Sequence, residues 1–78
     1  MPRFYFHLHN DIEARDEEGL ELSDLEAARI EAIRSGRELV AEAVRNGRVN
    51  LSHWIEIQDE SGAQVLAVSF GDAVQIES

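Results

Sequence analysis

Residues Arg3-Phe4-Tyr5-Phe6-His7-Leu8-His9 alternate strictly, with Phe4, Phe6 and Leu8 on one side and Arg3, Tyr5, His7 and His9 on the other. A period of two is that of a strand with one buried face. Asn10-Asp11 is a turn pair, because both side chains can bond their own backbone. The pattern then predicts a short edge strand, Ile12-Glu13-Ala14-Arg15, returning as a hairpin. Asp16-Glu17-Glu18-Gly19 follows as an acidic turn. Its carboxylates invite a calcium-loop reading, which fails: counted from Asp11, position 5 is Arg15, position 6 is Asp16 and position 12 is Leu22.

The period then changes to 3.6. From Leu22-Ser23-Asp24-Leu25-Glu26 through Asn46-Gly47 the apolar residues recur at helical spacing without a proline. Ser23 with Glu26 has the spacing of a capping box, and Asn46-Gly47 marks the end, with Gly47 free to take the left-handed C′ conformation. Leu25, Ala28, Ala32, Gly36, Leu39 and Ala43 form a central stripe, mostly of small side chains, that allows close approach to a sheet. Ile33, Val40 and Val44 lie beside it, with Ile30 further round. The pairs Glu31/Arg34, Arg34/Glu38 and Glu42/Arg45 define the wet face. Ile30 and Val44 fall outside what a single sheet covers, and such a flank on a small domain points to a partner.

After Gly47, residues Arg48–Ser52 form a connector and alternation resumes. His53–Gln58 puts Ile55 and Ile57 on one face and Trp54, Glu56 and Gln58 on the other. Asp59-Glu60-Ser61-Gly62 is a hairpin turn. Ala63–Phe70 carries Leu66, Val68 and Phe70 on one side and Val65 and Ala67 on the other, so it is expected to be a central strand. Gly71-Asp72 breaks it, and the type of Ala73–Ile76 is left open. The expected architecture is α+β: a two-layer sandwich in one domain, residues 1–78, whose antiparallel sheet, in chain order β-β-α-β-β, is covered by one long helix. The open sheet face would present Tyr5, His7, His9, Trp54, Val65 and Ala67, a composition suited to self-association.

Size and charge narrow the function classes. A chain of 78 residues has a thin stability margin, and with no cysteine it has neither disulfides nor thiolate zinc sites. A net charge of −9 opposes binding to DNA or RNA and makes a basic protein an easier partner. No apolar run approaches the length of a membrane span, and the chain reads as cytoplasmic. The one metal constellation is His7-x-His9, which needs a third ligand such as His53 or Glu56; the competing reading makes these the polar side of a strand or interface. No nucleophile motif, phosphate loop or cofactor signature is present, so no catalytic residue and no cofactor is assigned.

The blocks Met1-Pro2-Arg3-Phe4-Tyr5-Phe6-His7-Leu8, Asp16–Leu22, Asp24–Arg29, Ile55-Glu56-Ile57 and Asp59–Gly62, in that order, resemble a family of short bacterial proteins known as a domain of unknown function. The resemblance spans nearly the whole chain and implies no activity. Where the family has Asp-Gly after the first strand, this chain has Asn10-Asp11. The first half is also similar to the N-terminal domain of HicB-type antitoxins, a likeness that implies an acidic dimer occluding a small basic toxin. The sequence thus points to a non-enzymatic interaction module, expected to be a homodimer, with Tyr5, His7, Trp54, Val65, Ile30 and Val44 as interface candidates. The alternatives are a neutraliser of a basic protein and a histidine-based metal-binding protein or hydrolase.

Overall fold

A computed structural model describes residues 1–77. The elements are β1 (Arg3–His9), β2 (Leu20–Glu21), α1 (Leu25–Arg45), β3 (Trp54–Gln58), β4 (Gln64–Ser69) and α2 (Phe70–Ala73). They form one antiparallel sheet in the order β2-β1-β3-β4, with α1 on one face and α2 packed beside it. This is the expected β-β-α-β-β order with one helical turn added.

Register explains the core. Phe6 pairs with Ile57 and Leu8 with Ile55 across β1 and β3; Ile55 then pairs with Val68 and Ile57 with Leu66 across β3 and β4. Because directly opposed residues share a face, these six side chains lie together on the α1 side. Ile55, Ile57 and Val68 are buried there with Phe4, Ala28, Ala32 and Phe70. The small-residue stripe works as expected in its middle: Ala28, Ala32 and Gly36 are the buried residues of α1. A Cβ built on Gly36 would stand 3.0 Å from Cβ of Ala73, so the missing side chain is what lets α2 lie against the helix. Leu25, expected in the stripe, is instead exposed.

Both ends of α1 are capped, one of them differently from expectation. The N-cap is Asp24, whose side chain accepts from the N–H of Ala27, and not Ser23 with Glu26. Both residues are good caps, and the choice moves the first turn by one residue. The C-terminus is a Schellman motif: Gly47 has φ 90°, its N–H bonds the Val44 carbonyl, and the N–H of Arg48 bonds that of Ala43. The three ion pairs expected on the wet face all form.

Three expectations are corrected. The strand expected at Ile12–Arg15 is a single bridge, Leu8 with Ala14, and the paired segment comes later at Leu20–Glu21. A tight hairpin is displaced because Asp16 supplies from its side chain what a ladder would supply from backbone: its Oδ2 accepts the N–H of Phe6 at 3.1 Å. Residues 10–21 therefore follow the edge of β1 as a broken strand. Secondly, β4 is an edge strand and not a central one, despite apolar residues at successive positions. The register shift beside Ile57 and Gln58 makes Val65 an extra residue opposite them, so Val65 and Leu66 both pack against the core. Thirdly, Phe70 leaves the strand and opens α2. Ser69 caps that turn in a reciprocal box with Asp72, and the N–H of Phe70 bonds the His53 carbonyl at 2.7 Å. Of the C-terminal segment, Ala73 closes α2, 74–77 have no regular structure, and Ser78 lies outside the described residues.

Candidate functional site

The outer face of the sheet carries the side chains that alternation assigned to it from β1 and β3. Direct partners are His9 with Trp54, His7 with Glu56, and Tyr5 with Gln58. The His9 imidazole lies flat on the Trp54 indole, with ring centres 4.2 Å apart and planes within 14°. Its Nε2 is 2.7 Å from Oε1 of Glu56, while Oε2 of Glu56 accepts from the Gln58 amide, also at 2.7 Å. Hydrogen bonds from Gln58 and then His9 hold the Glu56 carboxyl below its ordinary range, against the opposing effect of burial. The result is a linked row, Trp54, His9, Glu56 and Gln58, lying across two strands.

His7 departs from the interface reading. It is buried, with 3% of its surface exposed, under the segment that follows β1. The N–H of Asp16 donates to Nδ1 of His7 at 2.9 Å, which requires a lone pair on that nitrogen. The Asp16 carboxylate meanwhile gathers three N–H groups, those of Phe6, Glu18 and Gly19. Burial alone would raise this carboxyl; the bonds from Gly19, Phe6 and Glu18 outweigh it and hold the group below its ordinary range. Gly19 has φ 69°, and a Cβ there would stand 2.8 Å from the Phe4 carbonyl oxygen, so only glycine closes this loop without strain. Asp16 thus does more than close the acidic turn expected at 16–19. Its signal was the Asp-x-x-Gly spacing to Gly19, the pattern of a side chain capping the N–H groups that follow it.

The three histidines are held apart in their roles. His7 accepts from backbone, His9 bonds Glu56, and His53, just before β3, meets Phe70 in a T-shaped arrangement with 5.7 Å between ring centres. Among the described residues no three His, Asp or Glu side chains converge as a metal set. His53 lies at a groove of about 790 Å³ between the end of α1 and the connector to β3, with Leu39, Ala43 and Phe70 among its apolar lining. Its Nε2 is 3.6 Å from Oδ1 of Asp11, too far for a hydrogen bond, and no hydroxyl side chain lines the groove.

The remaining candidates separate clearly. Tyr5 and Trp54 are half-buried on the outer face, and Val65 has turned to the core side. Ile30 and Val44 stay outside the core, 56% and 58% exposed, whereas their neighbours Ile33 and Val40 pack against it. This flank lies on the same side of the molecule as α2: Arg37, between Ile30 and Val44 on the helix surface, donates from Nε to the Ala73 carbonyl at 2.6 Å.

The chain is an α+β two-layer domain, one antiparallel sheet with α1 on one face. The chain belongs to the family described as domain of unknown function DUF6894, whose model matches residues 3–71. No curated protein and no solved structure matches it, so the likeness of the first half to HicB-type antitoxins finds no support. Among the described residues no helix is long and apolar enough to cross a membrane.

Proposed function

We propose that the protein is a non-enzymatic interaction module that associates with a second copy of itself. The observation that carries this reading is the pair Ile30 and Val44, left more than half exposed on a helix whose other apolar residues mostly reach the core. Each costs about 1 kcal/mol or more to leave in water relative to burial, a large sum for a domain of 78 residues. Arg37, which lies between the two on the helix surface, donates to the Ala73 carbonyl of α2.

Sedimentation equilibrium tests the proposal. Wild type is expected to be a two-chain species at high micromolar concentration. The double variant Ile30→Glu/Val44→Glu is expected to be a single chain with an unchanged far-ultraviolet circular dichroism spectrum, because neither side chain holds the core. A wild-type protein that stays monomeric throughout that range sinks the reading.

A further inference from the structure

The two edges of the sheet differ. Along β1 the edge is occupied at Ala14, by the Asp16 side chain, and at Leu20 and Glu21. Along β4, among the described residues, no strand pairs with the outer side. Which groups point outward follows from the ladder. Phe70 bonds His53 and Asp59 bonds Ala63, so the pairs between them alternate, and Trp54 with Ser69, Glu56 with Ala67 and Gln58 with Gln64 fall at the positions that do not bond each other. The N–H and C=O of Ala67 and Gln64 are therefore directed away from β3. The N–H of Ser69 is already taken by Asp72 at 3.3 Å, and the extra residue Val65 interrupts the edge on the other side of Ala67.

We infer that the second copy adds to β4, antiparallel and about a two-fold axis near Ala67, so that the two sheets become one with both α1 helices on the same face. This rests on the self-association reading and goes further in naming the strand that pairs. Three observations select a second copy as the occupant. Ser61 to Gly71 is the longest stretch of the chain free of Asp, Glu, Lys and Arg, so identical chains can meet there without opposing like charges. Edges of this kind are usually protected by lysine or proline, and β4 has neither. An antiparallel pair of identical strands is also self-complementary: Ala67 of each copy presents both a donor and an acceptor to the other, and its small, exposed side chain leaves room at the axis. α1 packs over β4, and Arg37, between Ile30 and Val44, donates to the Ala73 carbonyl of the α2 that follows β4, so the flank lies on the side of α2. Ile30 and Val44 would then add apolar area to what a short edge supplies through backbone bonds alone.

Two measurements on the full chain test the inference. In the first, Ala67→Pro removes an N–H that bonds nothing within one copy, a position where an edge strand tolerates proline. The expected result is a weakening of dimerisation by about tenfold or more, with the circular dichroism spectrum retained. In the second, which needs no variant, amide exchange is followed by NMR at concentrations below and above dimerisation. The Ala67 and Gln64 amides are expected to slow by about tenfold or more as the dimer forms. A dimer in which both amides exchange as fast as in dilute protein overturns the β4 assignment and leaves self-association standing. A protein monomeric at every concentration overturns both.

Discussion

Replacing Asp16 by alanine removes one side chain and strands three backbone donors. Oδ2 holds the N–H of Phe6 at 3.1 Å, and Oδ1 holds those of Glu18 at 3.1 Å and Gly19 at 3.0 Å. A hydrogen bond to an ionised acceptor contributes about 1.5–3 kcal/mol when shielded from water. The Glu18 donor can turn to solvent and the other two are partly buried, so the expected loss for Asp16→Ala is about 3 kcal/mol. Against a total of about 4–12 kcal/mol for a domain of this size, that is a quarter or more of the stability. Asp16→Asn separates the contributions: its carbonyl oxygen can still accept from Glu18 and Gly19, but its amide faces the Phe6 N–H donor to donor, and the loss falls to about 1–2 kcal/mol. Urea unfolding of the three proteins at neutral pH measures these differences, with equal m-values as the check that all unfold alike. The pH dependence follows from the carboxyl being held below its ordinary range in the folded chain. Its stabilisation is full above the unfolded value of about 3.9 and disappears as pH falls through the lower, folded value. The gap between wild type and Asp16→Asn should therefore narrow as the solution is acidified below about pH 4. An Asp16→Ala protein within about 0.5 kcal/mol of wild type, or a gap that widens in acid, would refute the account of this loop.

Gly19→Ala meets two penalties at once, a left-handed backbone and a Cβ 2.8 Å from the Phe4 oxygen; thermal unfolding should show a loss of at least about 1–2 kcal/mol. Asp24→Ala should cost about 1 kcal/mol of stability and Ser23→Ala a few tenths or less, an order that a Ser23 capping box would reverse. Gly36→Val should destabilise by about 1–3 kcal/mol through contact with Ala73, and a double-mutant cycle with Ala73→Gly should recover part of it; strict additivity would mean that the two do not press on each other.

The parts of the fold that could be read from the sequence are those in which one local pattern decides. The alternation of β1 and β3 placed Phe6, Leu8, Ile55 and Ile57 on one face, and the register keeps them there. Gly47 marked the end of α1, and its backbone angle has the required sign. What escaped was decided by competition between segments far apart in sequence. Residues 12–15 have the composition of a strand, yet Asp16 captures the Phe6 N–H and the ladder resumes only at Leu20. Two apolar faces on β4 suggested a central strand because periodicity reports burial but not its source; here one extra residue turns Val65 toward α1. Of the interface candidates, Tyr5, Trp54, Ile30 and Val44 keep some or much of their surface, while His7 is lost beneath a loop whose path depends on the Asp16 contacts.

The unequal edges of the sheet also bear on how far an assembly built through it could grow. An exposed strand is a template, and a protein with two good templates can grow into a fibre. On the β1 side the outermost segment is a two-residue strand beside Glu17, Glu18 and Glu21, too short and too acidic to recruit another strand. Among the described residues the β4 side carries no paired strand, and the proposed symmetric pairing would use it up in both copies. With one edge repaired by Asp16, the proposed assembly would close when two chains have met.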